Sequence, residues 1–171
     1  MMLRVLNALV VGAVLGLAAP LYAQGADVAF DGAAHDSAQP VEVTSNRLSI
    51  DQSDGVTIFS GDVVVIQGDM RLTADELQVE YRTGDAAAQE GRIRRMHARG
   101  GVTLVTAGEA AEGREAVYDL DSGQIVIEGD VLVTQGPNAI SGDLLRVDLA
   151  AGTGTVEGRV RTLLQSGGAA E

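Results

Sequence analysis

The chain has 171 residues and a formal net charge of −12, with no cysteine, two histidines, and arginine as its only strongly basic residue type. Without thiols, disulfides and thiolate metal sites are excluded, and the acidity argues against nucleic acid or an anionic bilayer surface as a non-specific partner. Two Phe, three Tyr and no Trp leave few rings for stacking on bases or sugars.

In chain order, Arg4, the apolar run "VLNALVVGAVLGLAAP" and "LYAQ" read as the three parts of a secretory signal peptide, residues 1–23, with cleavage predicted after Ala23. A retained membrane anchor is the alternative, because Leu3 to Ala23 is close to the roughly 20 residues a spanning helix needs. Cleavage would leave roughly 150 residues, the size of one domain. Residues 24–40, rich in Gly, Ala and Asp and without period, are expected to be a flexible lead-in.

From residue 41 to 165 the chain repeats itself. "VVVIQGDMRLTADELQVEY" from Val63, "VTLVTAGEAAEGREAVYDL" from Val102 and "VLVTQGPNAISGDLLRVDL" from Val131 align without a gap. Leu72, Ala111 and Ile140 then coincide, as do Leu77, Ala116 and Leu145, and Val79, Tyr118 and Val147. "VEVTSNRLSID" (Val41 to Asp51) matches the second half of a unit, and "VEGRVRTLL" (Val156 to Leu164) the first half. A chain that enters and leaves in mid-unit is built of stacked rungs that need neighbours.

Apolar and polar residues alternate with a period of two, so each rung is β. Gly61, Gly68, Gly84, Gly100, Gly101, Gly108, Gly123, Gly129 and Gly136 mark turns or bends. The phase slips between Ala74 and Leu77 and between Gly142 and Leu145, where a bulge is expected. "GDAAAQEG" (Gly84 to Gly91) is read as a loop, and "SGGAAE" (166–171) as a flexible tail.

Parity assigns Val41, Val43, Leu48, Ile50, Ile58, Val63, Val65, Leu72, Leu77, Val79, Val102, Leu104, Tyr118, Val131, Val133, Ile140, Leu145 and Val147 to the inner face. By size alone these residues either line an open apolar groove or close a dry sandwich core.

Stretches 41–81 and "MHARGGVTL" carry a family pattern: an entry strand, a G-n-V-x-v-x-q-G core and a returning A-x-G-x-V. The chain resembles the LptA/OstA-like family of lipopolysaccharide-transport proteins over about residues 40–165. The resemblance implies an all-β jellyroll of two facing antiparallel sheets opened into a V, with lipopolysaccharide acyl chains between them. It also implies a periplasmic location and end-to-end joining: to itself, to the inner-membrane jellyroll component, and to the outer-membrane translocon jellyroll domain. It favours the groove, where tail burial supplies roughly 0.8 kcal/mol per CH₂.

Arg92, Arg94, Arg95 and Arg99 cluster in an otherwise acidic chain, and guanidinium groups suit headgroup phosphates. A solvated sheet face balancing nearby acids is the other reading. His35 and His97 are too few for a histidine metal site, so no enzyme, metal or cofactor is expected. The alternatives kept open are the membrane-anchored jellyroll of the same system, a lipid-free structural β-solenoid, and a sugar-modifying jellyroll enzyme.

Overall fold

Among the described residues, alternation at period two becomes eleven strands: β1 Ala26–Ala29, β2 Glu42–Thr44, β3 Arg47–Asp51, β4 Val56–Gln67, β5 Met70–Tyr81, β6 Ile93–Val105, β7 Glu109–Asp119, β8 Gln124–Gln135, β9 Asn138–Asp148, β10 Thr153–Glu157 and β11 Arg161–Leu163. The computed structural model describes residues 26–29, 39–51, 55–82 and 92–165. The predicted signal peptide, the stretch "GDAAAQEG" read as a loop and the expected tail 166–171 lie outside the described residues. Among the described residues no helix is long and apolar enough to cross a membrane.

All pairings are antiparallel, in the order β1-β10-β9-β8-β7-β6-β5-β4-β2, with β3 also on β4 and β11 also on β9. The two half-units of the sequence are broken strands. β2 and β3 share β4, pairing with Val64–Ile66 and Val56–Ser60 respectively, while β10 and β11 divide β9 between them in the same way. Tight turns join neighbours: Gln67 faces Met70 across Gly68 and Asp69, and Gln135 faces Asn138 across Gly136 and Pro137.

Every long strand breaks in the middle. Register shifts fall between Ser60 and Val63, Thr73 and Glu76, Arg99 and Val102, Glu112 and Glu115, and Glu128 and Val131. On β4, β6 and β8, and between β10 and β11, the break is a pair of left-handed residues: Gly61 and Asp62, Gly100 and Gly101, Gly129 and Asp130, Gly158 and Arg159. A left-handed pair turns the strand, so each rung bends into two halves and the continuous ladder forms two facing half-sheets. Val65, Met70 and Leu72 of one half line the same small cavity as Leu77, Met96 and Tyr118 of the other. The expected β-jellyroll architecture is therefore present.

The lead-in was expected to have no regular structure. Instead, Ala26–Ala29 pairs with β10, with Val28 buried in the core. Four residues are too short to show a period, and the partner strand lies at the far end of the chain.

Candidate functional site

Register carries inner-face residues in rows across the rungs. One row runs Leu48, Phe59, Leu77, Ala98, Ala116, Ile127, Leu145, Val156, Ala26. A second runs Ile50, Thr57, Val79, Met96, Tyr118, Ile125, Val147, Gly154, Val28. On the other half-sheet Val43, Val65, Leu72, Leu104, Ala111, Val133, Ile140 and Thr162 form a third. The rows face each other as one apolar interior.

Of the residues predicted inward, Val63, Val65, Leu72, Leu77, Val79, Val102, Leu104, Tyr118, Val131, Val133, Leu145 and Val147 are buried in this interior. Val41, Val43 and Ile140 are partly buried against it. Leu48 and Ile50 continue its rows onto β3, where no further strand covers them among the described residues, and they are 53% and 63% exposed. Ile58 is a correction. It pairs with Gln78 and Ser49 on the outer face, and Thr57 and Phe59 take the inward positions. The left-handed pair at Gly61 and Asp62 spans two residues, so β4 keeps one parity from Thr57 to Gln67, and the more apolar Ile58 falls out of phase with it.

The interior also includes Met70, Met96, Ala98, Ala116, Ile125, Ile127 and Val156, which parity had not assigned. Ile125 and Ile127 were legible in "QIVIEG", but Val126 between them hides the phase. The alanines matter by being small: Ala98 and Ala116 line, with Met70, Met96 and Tyr118, a cavity of about 10 Å³. That is the lower limit for a single water. The half-sheets are thus closed against one another here, with two pliable methionines and two alanines around this small void. Burial pushes the Tyr118 phenol up to about 12, so the ring sits in the interior in its neutral form.

One end of the interior is polar. Gln67 and Glu109 are buried there. Gln67 Nε2 donates to the Gln39 carbonyl at 3.0 Å, and the Glu109 carboxylate accepts from the Thr106 hydroxyl at 2.8 Å and from Gln135 Nε2 at 3.0 Å. These bonds satisfy the Gln67 amide nitrogen and both Glu109 carboxylate oxygens, whose burial would otherwise cost stability.

Of the arginine cluster, Arg94, Arg95 and Arg99 lie on β6, where register puts them between acids of β5 and β7, while Arg92 is exposed just before β6 and its backbone carbonyl accepts from the Arg82 N–H at 2.8 Å. Arg94 pairs with Glu80. Arg95 reaches Asp119 at 3.3 Å and Arg99 reaches Glu76 at 3.5 Å. His97 Nε2 lies 3.0 Å from Glu115, and its Nδ1 lies 2.9 Å from Arg99. His97 pairs in register with Gln78 and Val117, so this ladder runs over the outer face, away from the apolar interior. Asp119 is held below the usual carboxylate range, chiefly by the Ser122 backbone N–H and also by Arg95, and it caps the β7–β8 turn. Among the described residues no group of three or more His, Asp or Glu side chains is arranged to hold a metal ion.

The comparisons with known proteins agree with this geometry. A family model described as LptA/(LptD N-terminal domain) LPS transport protein matches residues 42–153. An uncharacterised protein of Rhizobium meliloti (strain 1021) is 29% identical over 163 residues, covering 89% of this chain and 88% of its own length. The lipopolysaccharide export system protein LptA of Escherichia coli (strain K12) is 25% identical over 114 residues, or 63% of this chain and 59% of that protein. Among solved structures, LptH, the LptA homologous periplasmic component of the lipopolysaccharide transport device from Pseudomonas aeruginosa, matches with a TM-score of 0.67 at 19% identity, over 77% of this chain and 99% of that one. This last likeness is one of fold. With the family model spanning the ladder from β2 to the start of β10 and the jellyroll confirmed beneath it, the chain belongs to the LptA/LptD N-terminal-domain family of lipopolysaccharide transport proteins.

Proposed function

We propose that the chain is a periplasmic carrier that holds the acyl chains of lipopolysaccharide between its two half-sheets and bridges the inner and outer membranes by joining other jellyrolls end to end. The observation that carries this reading is the apolar inner face, continuous across all rungs and running out uncovered at Leu48 and Ile50. Acyl chains enter as the half-sheets part at their glycine corners, with Met70 and Met96 repacking around them. The chain carries no energy source, so flow is driven by an upstream inner-membrane transporter. The β2/β3 end receives the inner-membrane jellyroll component. The β10/β11 end meets a further copy or the outer-membrane translocon domain, each by strand addition.

A photoreactive side chain tests the carrier. Placed at Ala116 it points inward, and at Val117, the next residue, it points outward. Co-incubation with lipopolysaccharide should give a lipid adduct at 116 and none at 117. Equal adducts at both, or none at 116, would remove the interior as the binding site. The exported form rests on cleavage after Ala23, which intact mass of the periplasmic protein reads directly; a retained leader would instead favour the membrane-anchored component. For the arginines, the ion-pair ladder on the outer face favours sheet support over headgroup contact. Arg94→Gln with Arg95→Gln is expected to leave lipopolysaccharide affinity unchanged, and a loss that depends on the lipid phosphates would restore the headgroup role.

A further inference from the structure

Among the described residues, eight rungs cross the sheet when β2 with β3, and β10 with β11, are each taken as one broken rung. Their corners alternate in kind. The left-handed pairs occupy β4, β6, β8 and the β10–β11 break, and on the rungs between them a polar side chain (Asn46, Asp75, Arg114 or Asp143) lies over the glycine of the following rung. The first rung is of the side-chain kind and the last of the glycine kind. Joining the last rung of one copy to the first of the next therefore continues the alternation, whereas like ends would oppose two corners of one kind.

Continuing the internal register across that junction gives definite pairs. Ser60 pairs with Glu76 and Val63 with Ala74 around the Asp75 corner. By the same rule Glu157 meets Arg47 of the next copy, Val156 meets Leu48, Gly154 meets Ile50, and Thr162 meets Val43. Opposite charges face each other, and the two exposed inner-row side chains of β3 become covered.

In the lone chain β1 already occupies half of this site. Ala26 pairs with Val156 and Val28 with Gly154, the places that Leu48 and Ile50 of a neighbour would take. Val28 is 5% exposed, and the Thr155 hydroxyl donates to Asp27 at 3.2 Å. β11 carries no such cover among the described residues, and its Leu163 is 62% exposed.

We propose that β1 is a stand-in for the β3 strand of the next copy: it caps β10 in the isolated chain, and head-to-tail joining displaces it by strand exchange. This rests on the bridge reading above. β1 is the weaker occupant, since alanine and valine bury less apolar surface than leucine and isoleucine in the same rows. The β11 edge, uncovered among the described residues, is a first landing site for the incoming strand.

Cysteine pairs separate the states, because the chain has no thiol of its own. Asp27→Cys with Thr155→Cys in one chain reports the cap. Ser49→Cys in one copy with Thr155→Cys in another reports the junction. Val28→Asp loosens the cap by putting a carboxylate into the core, and Val28→Ala does so more mildly. The cap pair should close within one chain, and closing it should lower the head-to-tail dimer seen by native mass spectrometry until the bond is reduced. Both Val28 variants should raise the 49-to-155 adduct several-fold. An unchanged or lower yield in both variants would overturn the stand-in while leaving the bridge intact. A cap pair that links two chains would make β1 an exchanged strand and overturn it equally. No 49-to-155 adduct in any background would remove the bridge reading, and the proposal with it.

Discussion

At the glycine corners a single hydrogen decides whether a rung can bend. Gly100 has φ of +81°, and a Cβ there would fall 2.4 Å from the Asp75 carboxylate, whereas Gly101, at φ +63°, has open space beside it. Gly101→Ala therefore meets backbone strain alone, about 1 kcal/mol. Gly100→Ala adds the clash and should cost about 1–3 kcal/mol. Urea midpoints should rank the two in that order, and Asp75→Ala should recover part of the Gly100→Ala loss but none of the Gly101→Ala loss. Tyr118 gives a second prediction at this scale. Its folded-state pKa, raised to about 12 by desolvation, lies above the unfolded value near 10. The stability linked to it is whole below pH 10 and falls away as the pH climbs toward 12. Tyr118→Phe should abolish that alkaline decline in thermal unfolding without disturbing the profile near neutrality. The phenol was legible in the sequence as an inner-face residue, but its desolvation was not, since that depends on side chains from both half-sheets closing over it.

Among the strands, β6 shows how a local charge cluster is settled by its neighbours. Arg94, Arg95 and Arg99 invited a headgroup reading in one dimension, and the register then set Glu76 and Glu80 on one side and Glu115 and Asp119 on the other. Exposed cross-strand ion pairs contribute about 0–1 kcal/mol each, so replacing Arg99 by Gln should shift the unfolding midpoint only slightly, and less in high salt. Asp119 is the acid of this ladder whose protonation should be felt. Its folded-state pKa is depressed, first by the Ser122 N–H, so the stability it adds is present above the unfolded pKa near 4 and lost as the pH falls through the lower folded value. Asp119→Asn should flatten the acid limb of a stability profile between about pH 4 and the onset of general acid unfolding. Strand phase was readable wherever a rung alternates cleanly, as in Leu77, Val79 and Tyr81. It failed at Ile58 because one kind of corner preserves parity and the other shifts it, and a glycine in the sequence does not say which kind it belongs to.

Across the whole molecule, the interior lies between two halves of one ladder, so filling it stresses every corner at once. Ala98→Leu and Ala116→Leu push a larger side chain into a core that leaves only a void of about 10 Å³ beside them and should cost about 1–3 kcal/mol each by overpacking. If acyl chains occupy that space, the same variants should also retain less lipopolysaccharide during purification, measured by native mass spectrometry against an outer-face control, Val117→Leu. The sequence by itself determined the all-β class, the repeat, the two half-units and most of the inner face, because a period of two and a recurring glycine are local properties that survive in one dimension. Tertiary structure decided the rest. It closed the half-sheets over one another, set the arginines against acids on the outer face, and brought residues 26–29 onto a strand more than a hundred positions away. Those outcomes depend on register and on which edge is left unpaired. Both are fixed only when the whole ladder is assembled, since a strand edge has no chemistry of its own beyond the partner it lacks.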